Sequence, residues 1–178
     1  MKRPLEPQGS FPPAGLPRRI AAMLYDSLLC LALLIVTTFV YKLIQMALIG
    51  EARLRALSET GAMDHDPLLS VVLLIVLFAF FAKFWTHAGQ TLGMQVWGIR
   101  VQNIDGGAID LRQSLLRFTV AIASWLCLGL GFLWSLFDRH KRSWHDIASN
   151  SQVVRLPKRG ERTGNRPQAV NRDPRTSR

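Results

Sequence analysis

The chain has 178 residues with 49% hydrophobic side chains and a formal net charge of +10, a length that allows one domain. Charge and grease are segregated rather than mixed, which excludes an evenly solvated globule: eight of the 22 basic residues lie between Arg155 and Arg178, four precede or open the first apolar stretch (Lys2, Arg3, Arg18, Arg19), and the apolar stretches themselves are almost uncharged. The two cysteines, Cys30 and Cys127, form neither a disulfide framework nor a metal-ligand spacing and read as small buried hydrophobes.

Residues 1–17 are rich in proline and glycine and read as a flexible cytoplasmic lead-in. Ile20 to Tyr41 carries a single charged side chain, Asp26. A stretch of that length crosses roughly 30 Å of hydrocarbon as a helix. Pro17 suits its first turn, the helix extends to about Ile49, and Lys42 snorkels to the interface. The apolar run exceeds the h-region of a cleaved signal sequence and is read as an anchor that stays. An acid inside a span costs about 2.5–3.5 kcal/mol on insertion scales, so Asp26 needs a partner.

The connection Glu51–Asp66 sets Arg53 and Arg55 against Glu51, Glu59, Asp64 and Asp66. A second helix starts after Asp66-Pro67, runs uncharged to Phe81 and ends near Lys83–Trp85. Basic residues stay on the cytoplasmic side of spans, so the N-terminus is expected inside, the Glu51–Asp66 connection outside and the Lys83–Arg117 region inside again.

Gly89–Gln95 is a polar turn with glycines at Gly89 and Gly93. Ile99 to Asn103, then Asp105-Gly106-Gly107 and a second short run, read as a cytoplasmic β-hairpin. Leu111 to Phe118 opens an amphipathic helix, and Phe118 to Phe137 is a third apolar segment. Either it crosses once, or it re-enters as a hairpin around Cys127–Gly131 and brings the strand Gln152–Leu156 to the first hairpin. Non-helical backbone at that depth must be covered by protein. The fold class expected is therefore an all-α polytopic membrane protein with two transmembrane helices, a third apolar segment and a small β-hairpin. Its parts are a lead-in (1–17), a membrane domain (18–156) and a disordered basic tail (157–178). The tail suits anionic lipid headgroups at about 1 kcal/mol per cation. It interleaves no aromatics for stacking on bases, so no nucleic acid partner is expected.

Arg19, Ala22, Asp26, Cys30, Leu33 and Thr37 share one helix face, the small and polar stripe that should face protein. Arg19 and Asp26 are roughly 10 Å apart along the axis and lean the same way, so the expected partner of Asp26 is Arg117 or Arg139. A second cluster holds Asp138, Arg139, His145 and Asp146, the last two a titratable pair. No metal-ligand set, phosphate loop or nucleophile elbow accompanies them, so neither an enzyme nor a cofactor is expected.

Taken together, Arg18-Arg19…Asp26, Gly89-Gln90-Thr91-Leu92-Gly93, Gly98-Ile99-Arg100-Val101 with Asp105-Gly106-Gly107, Leu115-Leu116-Arg117, Trp144-His145-Asp146 and Val153-Val154 resemble the RDD family of membrane proteins. The resemblance implies that the namesake residues are Arg19 (or Arg18), Asp26 and Asp146. It also implies a multi-pass protein of the bacterial cytoplasmic (inner) membrane. Its implied role is transport of a cation or small solute coupled to protonation of Asp26, or alternatively a non-catalytic scaffold or accessory subunit. Either role suits a homo-oligomer or a membrane-protein partner. Two positions depart from the family pattern, Met94 after the glycine turn and Ala148-Ser149-Asn150 near the end.

Overall fold

The computed structural model describes residues 4–52, 56, 59 and 66–157. Most of the connection before Asp66 and nearly all of the basic tail lie outside the described residues, and with them the expectations of an outer loop and a disordered, lipid-binding tail. Helix α1 spans Leu16–Ile49 with a proline in its first turn, and α2 spans Pro67–His87. Asp66 caps α2 by accepting from Leu69 N at 3.0 Å. The same carboxylate accepts from Tyr41 Oη (3.0 Å) and Gln45 Nε2 (3.1 Å), tying the far end of α1 to the start of α2. Both helices are long and apolar enough to cross a membrane. Leu28, Leu31, Ile35 and Phe39 on α1 and Leu68, Val71 and Ile75 on α2 are exposed, as expected where the solvent is acyl chain rather than water.

Everything else gathers at the opposite end of this pair. Short helix α3 (Leu92–Val96) leads into β1 (Ile99–Asn103), followed by α4 (Leu111–Leu126), α5 (Leu130–Leu133), a 3-10 turn (Trp134–Leu136), α6 (Trp144–Ala148) and β2 (Ser151–Arg155). The sheet is two-stranded and antiparallel, with Val101 opposite Val153 and Ile99 opposite Arg155. This corrects the expected local hairpin. The Asp105-Gly106-Gly107 turn does close, with Gly106 N donating to Asn103 O and Asn103 N to Gly107 O. The chain after it does not form a partner strand, because Ala108 and Ile109 are buried and Asp110 caps α4 through a capping box with Gln113. The late strand pairs with β1 directly.

The lead-in, expected to be loose, closes the other edge of β2. Ala14 N donates to Val153 O (2.8 Å) and Arg155 N to Pro12 O (2.8 Å). Prolines suit such an edge because they have no N–H to leave unpaired. The core beneath the sheet joins Ala14, Ala22, Trp85, Ile99, Val101, Ile109, Phe118 and Val153, with Phe78 and Phe81 packed against it. Phe78 and Phe118 meet at 5.4 Å between ring centroids, which seats α4 on α2.

The third apolar segment is broken: α4 and the α5/3-10 unit meet at 111°. Leu128 and Gly129 both take positive φ at the break (+54° and +80°). Cys127, expected buried, is exposed at this corner.

Candidate functional site

Two buried carboxylates stand where the spans meet the sheet. Asp26 lies on α1 two turns beyond Arg19 and is 5% exposed. The polar turn after α2 is built to receive it. Thr91 Oγ1 donates to Asp26 Oδ2 (2.5 Å) and Gly93 N donates to Oδ1 (2.9 Å). Thr91 also caps α3, its oxygen accepting from Met94 N at 3.3 Å, so its own proton is free for the carboxylate. Both Asp26 oxygens are thus engaged by the turn.

The motif glycines are required by close approach. A Cβ on Gly93 would lie 2.4 Å from Ala22 O and 2.9 Å from the Asp26 carboxylate. Gly89 sits at φ +66°, and a Cβ there would meet Val101 O at 2.4 Å. Its own carbonyl accepts from Val101 N (2.7 Å), while Gln90 Nε2 donates to Ile99 O (2.7 Å). Gly89 and Gln90 thus fix the turn to β1, and Thr91 and Gly93 fix it to α1.

Asp146, on α6, is fully buried. Arg19 reaches its Oδ2 at 2.5 Å and Arg117 donates to its Oδ1. Ser143 N also donates to Oδ2 (3.0 Å). Arg19 makes three further bonds, to Ala14 O (3.1 Å), Ser143 Oγ (3.0 Å) and Lys141 O (2.7 Å). Arg117 also donates to Ser151 Oγ (2.9 Å), and its guanidinium stacks over Trp85 at 5.3 Å. Arg19 from α1, Arg117 from α4 and the Ser143 amide therefore converge on one carboxylate, and the two guanidinium groups are held in turn by Ala14, Lys141, Ser151 and Trp85. Burial opposes ionisation of Asp146, yet Arg117, His145 and Arg19 outweigh it and hold the acid well below the carboxylate range. His145 Nε2 lies 3.5 Å from Asp146 Oδ1. Burial first, then the nearby Arg117, pushes the pKa of His145 down to about 3, so near neutral pH it is an uncharged imidazole.

The expected guanidinium partner for Asp26 is a correction. Arg117 faces Asp146, and Arg139 is exposed. Neutral donors on one short turn already satisfy Asp26, and Arg19 and Arg117 both point to the other acid. Asp138 belongs to neither seat; it pairs with Arg142 (3.2 Å) and accepts from His140 N and Arg142 N in a surface turn. Sequence reasoning missed Ser143 and Ser151, although Ser143-x-x-Asp146 has the spacing of a helix-start capping box. It also missed the carbonyls of Ala14 and Lys141, which no side-chain pattern announces. Among the described residues, no three His, Cys, Asp or Glu side chains converge as a metal site would require. Also among them, the buried Trp85 Nε1, Arg117 Nε and His145 Nδ1 have no hydrogen-bond partner.

Two helices of spanning length carrying a polar, ion-paired layer at one end define an integral membrane protein. The RDD family model matches residues 13–150, and the chain belongs to the RDD family. No curated protein and no solved structure matches it.

Proposed function

We propose that this chain is a non-catalytic membrane scaffold or accessory subunit whose arginine and two aspartates hold the water-side layer onto the spans. The observation that carries this reading is that all four hydrogen bonds of Arg19, and both oxygens of each carboxylate, are directed within the fold. A solute would have to displace partners already in place. The two or three spans that the described residues allow in one subunit also enclose little volume, which supports work in an assembly, as a homo-oligomer or beside another membrane protein. The cations at Lys2, Arg3, Arg18 and Arg19 favour an N-terminus on the cytoplasmic side, and the family resemblance supports the bacterial cytoplasmic membrane.

Transport coupled to protonation of Asp26 is the second reading, favoured by one feature: this intramembrane acid has neutral donors only, and such acids mark ion routes. Purified protein in liposomes with an imposed pH gradient decides between them. The scaffold reading expects wild-type vesicles to dissipate the gradient no faster than empty ones with any alkali cation. Cation-dependent exchange that Asp26→Asn abolishes without lowering folded yield would overturn it.

A further inference from the structure

The segment between Leu111 and Arg142 leaves the polar layer and returns to the same layer. On the way out, Gln113 Nε2 donates to Ser149 O (2.8 Å) and Arg117 bonds Asp146 and Ser151. On the way back, Lys141 O and Ser143 Oγ accept from Arg19. Arg19 opens α1, so both ends of the segment lie at one face of the span pair. The path between them is shallow. A Cβ on Gly131 would lie 2.0 Å from Ser124 Oγ and 3.0 Å from Trp144 Cε3, which puts the last turn of α4, α5 and the start of α6 in mutual contact. The Phe132 ring lies tilted against His145 at 5.0 Å and Trp134 lies 6.4 Å from Trp144.

The corner is built for hydrocarbon. Non-helical backbone survives there only when its polar groups are paired internally. Leu128 N donates to Trp125 O, Gly129 N to Ser124 O, Leu130 N to Cys127 O and Phe132 N to Gly129 O, all at 2.8–3.1 Å. The side chains turned outward are apolar: Leu126 is 81% exposed, Leu128 91% and Phe137 80%. After Asp138, which is paired with Arg142, come the exposed Arg139, His140 and Lys141.

We propose that the α4–α5 corner is a wedge seated in a single leaflet, the one on the side of the Arg19–Asp146 layer. Trp125, Leu126 and Leu128 contact its acyl chains, and Arg139 and Lys141 engage its anionic phosphates. The inference concerns this surface and does not depend on whether the chain is a scaffold or a carrier.

The test uses the full chain in sealed phosphatidylcholine–phosphatidylglycerol vesicles. Cys30→Ser leaves Cys127 as the single thiol, and Arg112→Cys and Arg139→Cys are each made with both native cysteines replaced by serine. All three reporter positions are exposed, so the reporters disturb no packed side chain. With a membrane-impermeant maleimide, positions 112 and 139 are expected to react from the same side, while Cys127 reacts only after detergent is added. A bimane on Cys127 should be quenched more by lipids brominated near the carbonyl than by lipids brominated at the chain end. Labelling of positions 112 and 139 from opposite sides would make the segment a crossing and overturn the wedge. Free aqueous labelling of Cys127, or its quantitative cross-linking to the Cys127 of a second copy, would overturn it as well.

Discussion

Asp26 and Asp146 are similarly deep, 5% and 0% exposed, yet they are held by opposite means. Asp146 receives two guanidinium groups and a backbone amide; Asp26 receives a hydroxyl and an amide, all from uncharged donors. The first seat is a charge clamp between distant segments, since Arg19 and Asp146 are 127 residues apart. The second is a shape fit between α1 and the turn leaving α2. Of the two acids, only Asp146 touches a guanidinium group. A lone uncompensated charge there would be strongly unfavourable.

The comparison breaks first at Asp146. Asp146→Asn leaves two buried guanidinium groups facing a neutral amide and is expected to cost about 3–5 kcal/mol, read as a loss of thermal stability in detergent. Arg19→Ala should cost a similar amount, and the Arg19→Ala/Asp146→Ala double variant clearly less than the sum of the two single alanine variants. Asp26→Asn replaces one acceptor oxygen with an amide NH2 without stranding a cation, so about 1–3 kcal/mol is expected. Equal losses for Asp26→Asn and Asp146→Asn would erase the distinction between the seats. Gly93→Ala tests the close approach of the turn to α1, because its Cβ falls 2.4 Å from Ala22 O and 2.9 Å from the Asp26 carboxylate. Overpacking of this kind costs about 1–3 kcal/mol, and Asp26→Asn combined with Gly93→Ala should be less than additive.

Acid sharpens the contrast through His145. The unfolded imidazole takes up its proton below its ordinary 6.5, whereas the folded one resists until about 3. The unfolded chain therefore binds more protons in that window, and stability falls as pH drops through it. Asp146, held below its ordinary 3.8 by its cations, adds a further loss once pH falls under that value. Detergent unfolding followed from pH 7 to pH 4 should show the first loss, and His145→Phe should flatten it. The smallest effect belongs to Arg139, exposed and outside both seats; Arg139→Gln should alter stability by less than about 0.5 kcal/mol. A larger loss would mean that the polar layer extends to it.

The spans are legible in the sequence because a period-free apolar run needs no partner to be recognised. Pro17 and Asp66-Pro67 mark helix starts close to where α1 and α2 begin. The motif Gly89-Gln90-Thr91-Leu92-Gly93 is visible as a polar turn, but its role as the receiver of Asp26 is not. That role depends on how closely the turn approaches Ala22 on another helix. The local hairpin fails for a related reason. Asp105-Gly106-Gly107 is turn chemistry regardless of the next residues, and the partner strand comes from β2, some fifty residues on, because Ala108 and Ile109 are needed in the core. Arg117 is recognisable as a cation seeking an acid, yet the acid it meets is Asp146 rather than Asp26.

By itself the sequence determined the two spanning helices, the family, and that Asp26 needs donors from outside its own helix. Each follows from local composition and from the cost of leaving backbone or charge unpaired in hydrocarbon. Only the tertiary structure decided which arginine meets which aspartate, that the proline-rich lead-in closes a sheet edge, and that the third apolar segment turns at 111°. Those outcomes depend on distances between segments far apart in the chain, set by how α4 and α6 pack beneath the sheet, and no residue pattern encodes such distances locally.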